Sequence, residues 1–473
     1  MTTTFRDYTL ERYNVTMARV RAYRGHFAVM TLFIVGVTAV LSFLFAKDAT
    51  LADFYGRATF SPVEWVVVLW LVPLPIMLWK GYTYVRYFKP RPLTYDGSAG
   101  RGHRVIFQIT TTGQEAETVK NTVESVLYWK QRLAPSFSCE VQVVMEPSGY
   151  DAHAGLYELL AHRGINFLVV PSSYRTPNDS VRKSRALQYA VKMRQEWRYN
   201  LERTWVYHHD DETAIGEDTF AGIARFLAEN GQDACLGTGI ILYPQEMDDW
   251  RPSAVADLNR TKDDITSLYS LTHSNRASQF HGSHYLVRAD VEAAVGFDMG
   301  PKLSLIDDLT FEVRMRKRYG DRAIRVLEGF AYEMSPQTWR DQIRQRRRWV
   351  IGLKTAETDL DMPVVRKLSM LYYITAWAMG SASTFTVAMP LVFNFDSVLP
   401  FGLSFAAASW GLMIWGYVVG YTFHREYVSA PRPLWRVVKN GIVGAGVDAV
   451  AVWVGLAARN NGSFKVVSKD RKR

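Results

Sequence analysis

The sequence predicts an α/β domain held between two helical membrane hairpins, and three observations predict it. Long apolar runs crowd both ends of the 473-residue chain. The middle, from about residue 102 to 355, mixes charged and apolar residues as a soluble domain does. Within it, apolar runs of strand length alternate with segments of helical period, the mark of a mostly parallel sheet covered by helices.

The first apolar run, residues 26–46, carries no Asp, Glu, Lys or Arg. At about 1.5 Å per residue it crosses a hydrocarbon core of about 30 Å. Arg6, Arg12, Arg19, Arg21 and Arg24 precede it and no cleavage site follows, so it reads as an anchor with its amino terminus in the cytosol. A second run, 63–79, is followed at once by Lys80, Arg86, Lys89 and Arg91, which returns the chain to the same side. Runs 368–393 and 401–423 form a second hairpin, with a cation-free link before Arg425, Arg432, Arg436 and Lys439. The last run, 441–458, is short, contains Asp448 and precedes a basic tail, which predicts an interfacial or re-entrant helix. The expected organisation is therefore a cytosolic segment 1–25, a hairpin 26–90, the α/β domain 91–335, interfacial helices 336–367, a hairpin 368–424, and an interfacial helix with a cytosolic tail 425–473.

The formal charge of +10 lies largely beside the apolar runs, where it suits the anionic leaflet of a lipid bilayer. No basic stripe with interleaved aromatics accompanies it, so a nucleic-acid partner is not expected. Cys139 and Cys235 fall in apolar strand-like segments and read as small buried hydrophobes, without a disulfide.

Candidate strands are 104–109, 140–145, 166–170, 204–208 and 234–242. Between the first two, Val119, Val123, Val126 and Leu127 recur at helical spacing and mark one buried face. Open parallel sheets bind ligands beyond the carboxyl ends of their strands, so the residues after each strand are the ones to inspect. Thr110-Thr111-Thr112-Gly113-Gln114 and Glu146-Pro147-Ser148-Gly149 are small polar turns of a kind that also occurs at any strand end. His208-His209-Asp210-Asp211-Glu212-Thr213 is more pointed. Three consecutive acids repel one another unless a cation or hydrogen-bond donors offset them, and hard divalent ions take oxygen ligands. Mg²⁺ or Mn²⁺ on a diphosphate and an acidic cap for the helix near Thr219 both account for the run. His208 and His209 read as scaffold. Asp307-Asp308 opens a helical segment, as an N-terminal cap or as a general base for an attacking hydroxyl. Gln345-Arg346-Arg347-Arg348-Trp349 is either a lipid-facing basic run or an indole platform beside a phosphate clamp.

Taken in order, these sites resemble the membrane-integrated, inverting family-two glycosyltransferases, relatives of cellulose and hyaluronan synthases. Asp210-Asp211-Glu212 stands in place of the D-x-D metal motif, Ile306-Asp307-Asp308 of T-E-D, and Gln345 to Trp349 of Q-x-x-R-W. Lys183-Ser184-Arg185-Ala186-Leu187-Gln188 is similar to the K-x-x-A-L-N segment, and Phe464-Lys465-Val466-Val467-Ser468-Lys469 to the F-x-V-T-x-K gating loop. Phe280-His281-Gly282-Ser283, Phe297-Asp298-Met299-Gly300-Pro301 and Glu333-Met334-Ser335-Pro336 resemble segments of the egghead-type β-1,4-mannosyltransferases.

The resemblance implies a GT-A catalytic fold. It implies a nucleotide-sugar donor, GDP-mannose or a UDP-hexose, against Thr111, Thr112, Glu146, Lys183, Arg185, Asp210 and Asp211. Mg²⁺ or Mn²⁺ would sit on Asp210 and Glu212, and Asp308 would be the base. His281, Gly282, Ser283, His284, Asp307, Gln345, Arg348 and Trp349 would form the acceptor and diphosphate side. The implied reaction is β-transfer of a hexose, mannose foremost, to a glycolipid or other lipid-linked hydroxyl at the cytosolic face. A processive polysaccharide synthase and a catalytically silent nucleotide-sugar-binding scaffold are the alternatives. The oligomeric state is not legible. Glu212 in place of Asp, Asp307 in place of Glu and Val467 in place of Thr depart from the motifs without removing a carboxylate.

Overall fold

The computed structural model describes residues 4–46, 72–87, 92–230, 234–244, 252–273, 280–392, 400–428 and 433–459. Most of the expected second apolar run, the link 394–399 and the gating-type segment 464–469 lie outside them. The strands are β1 (Arg104–Thr111), β2 (Ser138–Met145), β3 (Asn166–Val169), β4 (Thr204–Asp210), β5 (Ala214–Ile215), β6 (Leu236–Leu242), β7 (Tyr285–Arg288) and β8 (Ile324–Tyr332). The longer helices are α1 (Leu10–Ala46), α2 (Pro73–Tyr87), α3 (Ala116–Leu133), α4 (Arg182–Glu196), α5 (Glu217–Asn230), α6 (Pro252–His273), α7 (Asp307–Tyr319), α8 (Trp339–Asp359), α9 (Val364–Val392), α10 (Pro400–His424) and α11 (Leu434–Ala457).

All the strands join one sheet in the order β3-β2-β1-β4-β7-β6-β8-β5. The half expected from the apolar runs is parallel: β1 pairs with β2 and β4, and β2 with β3. β1 and β2 are buried along most of their length because helices cover both faces, which removes the in-out alternation of a half-exposed sheet and buries even Gln108 and Gln142. The other half is mixed, with β7 antiparallel to both β4 and β6, and β8 parallel to β6. The sheet therefore agrees with the α/β expectation while adding strands that the apolar runs do not announce.

Register decides what meets at the sheet's edge. Thr110 pairs with Asp210 and Thr111 with Met145, so the turns after β1, β2 and β4 come out side by side. Because β7 runs against β4, with His208 opposite Tyr285, the segment preceding β7 arrives at that same edge. β4 itself extends two residues beyond its expected end and carries the first acid of the triplet on the strand.

A helical layer lies against the mixed half. Thr261 Oγ1 of α6 donates to Ile241 O (2.9 Å), and Ile241 N donates to Asp264 Oδ2 (2.9 Å), fastening α6 to β6. His424, at the end of α10, accepts the Tyr243 amide at 2.8 Å. At the amino end, Tyr8 stacks on Tyr332 at 3.7 Å and its carbonyl accepts from Glu217 N, so the segment before the first apolar run is clamped to the α/β domain. The outward faces of α1, α9 and α11 expose Leu32, Phe33, Val365, Leu368, Trp435 and Trp453.

Among the described residues, α11 is the one helix long and apolar enough, by length and composition, to cross a membrane. It begins at Leu434, seven residues before the apolar stretch expected to form it, because Leu434, Trp435, Val437 and Val438 extend the helical pattern across Arg436 and Lys439. Asp448, in its middle, is turned to protein, accepting from Gln342 Nε2 (3.2 Å) and Arg346 Nε (3.4 Å) of α8.

Candidate active site

A cavity of about 1060 Å³ opens at the carboxyl ends of the strands and continues beneath α8 to Tyr373, Trp377 and Asp448 of the helical layer. The two small polar turns form its roof. Gly113, at φ +77°, lies so close to Gly149 that a Cβ on Gly149 would stand 1.9 Å from Thr112 O. Thr111 holds this turn through Gly113 N (2.9 Å) and donates its hydroxyl to Asp211. Glu146, on the neighbouring turn, receives Arg185 of α4. Thr111, Thr112, Glu146, Lys183 and Arg185 all line the cavity.

The acid triplet is divided by the strand geometry. Asp210 pairs with Lys183, whose Nζ also donates to Gly282 O at 2.9 Å. Burial works against the Lys183 ammonium, but Asp210, Asp307 and Asp308 outweigh it and hold its pKa above the ordinary lysine value. Asp211 turns to Thr111, and burial together with the adjoining Glu212 carboxylate pushes its pKa well above the ordinary aspartate value. All three acids line the cavity. Their hard oxygens suit Mg²⁺ or Mn²⁺. Among the described residues no group of three or more His, Cys, Asp or Glu side chains is placed to hold a metal ion.

Opposite the triplet, α7 begins at Asp307. Asp308 Oδ1 accepts its neighbour's amide, Leu309 N, at 2.8 Å. Its Oδ2 faces Gly282: a Cβ at that glycine would meet Oδ2 at 3.3 Å and Lys183 Nζ at 3.1 Å. A single glycine thus separates the acid–lysine pair from Asp308 and leaves the space between them for a ligand. Burial, then the Asp307 charge, raise the Asp308 pKa to about 6. Burial raises Asp307 as well, against the pull of Lys183.

The third cluster lies on α8, which Thr338 caps by accepting Asp341 N at 3.2 Å. Gln345, Arg348 and Trp349 share the face turned to the cavity, as their i, i+3, i+4 spacing requires. Arg346 does not act as a solvated cation. It is 2% exposed and bridges Asp257 of α6 to Asp448 of α11. The Trp349 ring receives the guanidiniums of Arg346 (4.3 Å) and Arg260 (4.7 Å).

The His281–His284 group comes apart in three dimensions. His281 pairs with Asp264 at the cavity wall, and Gly282 and Ser283 line the cavity. His284 does not. It is wholly buried beneath, with Tyr207 Oη at 2.7 Å from Nδ1 and Gly329 O at 3.2 Å from Nε2. Its position at the turn into β7, with φ +55°, sends it to the core. His208 and His209 are buried scaffold as expected, against Glu292 and Thr213 O.

Several lining residues escape the sequence reading: Arg182, Arg260 and Asp264. Asp257, Arg260 and Asp264 recur at i, i+3, i+7, one face of α6. That spacing is the available signal, although a solvated helix face shows it too.

Residues 205–423, from β4 to the end of α10, match the family model described as glycosyl transferase family group 2. Two curated relatives are similar over most of the chain. Beta-1,4-mannosyltransferase egh of Drosophila melanogaster is 27% identical over 325 residues, covering 66% of this chain and 68% of that protein. Beta-1,4-mannosyltransferase bre-3 of Caenorhabditis elegans is 27% identical over 336 residues, covering 67% and 71%. The solved mannosyltransferase PcManGT from Pyrobaculum calidifontis, in complex with GDP-Man and Mn²⁺, has a TM-score of 0.42 at 16% identity, covering 82% of this chain and 98% of that one.

Proposed function

With a glycosyl transferase family group 2 domain over residues 205–423 as the premise, we propose that the chain is an inverting glycosyltransferase that moves a hexose, mannose from GDP-mannose in the first instance, onto a hydroxyl of a membrane glycolipid. The observation that carries this reading is the meeting of Asp308 with the Lys183–Asp210 pair on either side of Gly282. It puts a base and an anion-binding end in one cavity, with room between them.

In this reading the donor diphosphate lies toward Asp210, Lys183 and Arg348. Asp210 and Glu212 would hold Mg²⁺ or Mn²⁺ there, and the ion supplies charge neutralisation to the departing diphosphate. The acceptor oxygen attacks the anomeric carbon from the face opposite the diphosphate. As the new C–O bond forms, the old one breaks, and its electron pair leaves with the nucleoside diphosphate. The hydroxyl proton passes to Asp308, and the configuration at the anomeric carbon inverts. Trp349 offers the acceptor sugar a flat apolar face, kept in place by the two guanidiniums against it.

A lipid-borne acceptor is supported by the cavity's reach to Tyr373, Trp377 and Asp448 and by the apolar side chains that α1, α9 and α11 turn outward. Runs 26–46, 63–79, 368–393 and 401–423 span the bilayer in this reading, with the catalytic domain and both termini in the cytosol. α11 lies at the interface in this reading, with its midpoint Asp448 tied to Arg346 of the cavity helix.

Asp308→Asn is the test. It retains the shape of the site and donor binding, while transfer falls by about 10²- to 10⁴-fold. Near-wild-type transfer would remove Asp308 from the role of base. A screen for release of GDP against UDP, with purified protein and membrane lipid, identifies the donor.

A further inference from the structure

None of the five residues of the Phe297-Asp298-Met299-Gly300-Pro301 segment lines the cavity. They tie down the loop 171–181 that leads into α4. Asp298 Oδ2 accepts Asn178 N (2.9 Å) and Asn178 Nδ2 (3.0 Å), and its Oδ1 accepts Ser180 Oγ (2.9 Å). The same Ser180 oxygen accepts Met299 N (2.6 Å) and Gly300 N (2.9 Å). Ser180 N donates to Thr176 Oγ1 at 2.8 Å, and Val181 N to Ser304 Oγ at 3.2 Å. Thr176 and Ser180 are buried in an otherwise largely exposed loop. From the other side, Gln188 Oε1 accepts Phe297 N (2.7 Å) and Arg314 donates to Asp298 O (3.0 Å). The loop, the start of α4 and the segment 297–304 are thus one hydrogen-bonded knot.

The knot has a visible consequence for the backbone. Asp179 at φ +56° and Arg182 at φ +57° adopt left-handed conformations. Side chains other than glycine hold that region only where their surroundings impose it. The chain leaves this turn with Arg182 and Lys183 directed into the cavity. Lys183 reaches Asp210 and Gly282 O, while Arg182 comes near enough to Arg348 that burial and the second guanidinium together lower its pKa. Bringing guanidiniums from two elements to one wall raises the potential there and suits an anion of more than one charge.

We propose that Asp298 is a positioning residue for the donor: through Ser180 and Asn178 it imposes the left-handed turn that presents Arg182 to the nucleoside diphosphate. This deepens the transferase reading and rests on it. Asp298 does not line the cavity, so its effect must appear in donor affinity and pass through Arg182.

The experiment uses the full chain in detergent, with GDP-mannose and UDP-glucose as probes, and compares wild type, Asp298→Ala, Arg182→Gln and the double variant. Ser180→Ala, which opens the same knot by one hydroxyl, replaces Asp298→Ala if that variant does not fold. The expected result is a rise of about tenfold in donor Kd and donor KM for Asp298→Ala, with acceptor KM and the thermal midpoint held. The double variant should be little worse than Arg182→Gln alone, since the two changes remove one function. Donor affinity within twofold of wild type in Asp298→Ala overturns the proposal. So do additive effects, or a joint rise of donor and acceptor KM, either of which marks Asp298 as merely structural. Wild type that binds neither probe overturns the transferase reading itself, and the inference with it.

Discussion

Lowering the pH from about 7 to about 5 reads Asp308 directly. A carboxylate takes a proton from the acceptor only when ionised, and burial followed by the Asp307 charge raises the Asp308 pKa to about 6. The charged form is the disfavoured one, so the loss of activity lies on the acid side. The ionised fraction falls from about 0.9 at pH 7 to about 0.1 at pH 5, and kcat/KM should fall about tenfold with it. A base at the ordinary aspartate value would lose less than about a tenth over the same interval. The cause can be separated from the value. Asp307→Asn removes the neighbouring charge and should move the acidic limb to lower pH, while Lys183 and His281, which favour the ionised form, remain in place. The assay is transfer of labelled sugar from GDP-mannose into lipid-extractable product, followed as kcat/KM across pH at constant ionic strength. A flat profile between about pH 5 and pH 7, or a limb that Asp307→Asn leaves where it was, would refute the reasoning.

Three further outcomes follow from the site. Chelation with EDTA should abolish transfer and added Mn²⁺ or Mg²⁺ restore it, with Glu212→Gln requiring more ion for the same rate; full transfer in EDTA would strike the ion from the mechanism. Gly149→Ala places a carbon 1.9 Å from Thr112 O, so the interlocked turns must separate; donor KM should rise and the unfolding midpoint drop, and an unchanged donor KM would show that the roof does not touch the donor. Arg346→Met leaves Asp257 and Asp448 without the guanidinium between them. Removing one partner of a buried ion pair costs about 3–5 kcal/mol, which denaturant unfolding would detect, and unchanged stability would contradict the bridge.

Much of the catalytic half is legible from the chain because it is built from local signals. The runs that become β1, β2 and β4 are buried along most of their length, since both faces of the parallel half are covered, and their apolar residues mark them in the sequence. The acids, the Asp307-Asp308 pair and the Gln345–Trp349 run stand out because unbalanced charge at an element's end needs a partner. β5 and β7 escape notice because two and four residues are too few to show a period. The four residues from His281 to His284 read as one patch, yet the turn into β7 sends the first to the cavity wall and the last to the core. Arg346 reads as one of several basic residues on a solvated or lipid-facing surface, and only the arrival of α6 and α11 makes it a buried bridge.

Short-range pattern therefore determined the kinds of element, their approximate ends and the residue types able to carry the chemistry. Periodicity and charge act within a few residues of one another, and the chain displays them directly. Tertiary structure alone decided that Asp308, Lys183 and Asp210 converge on Gly282, and that Asp298 holds the loop in front of them. Asp308, Lys183, Asp210 and Gly282 are 26 to 125 residues apart, brought together by strand order, by the antiparallel placement of β7 and by register. Such pairings are selected by the packing of the whole sheet, and no local window of sequence contains them.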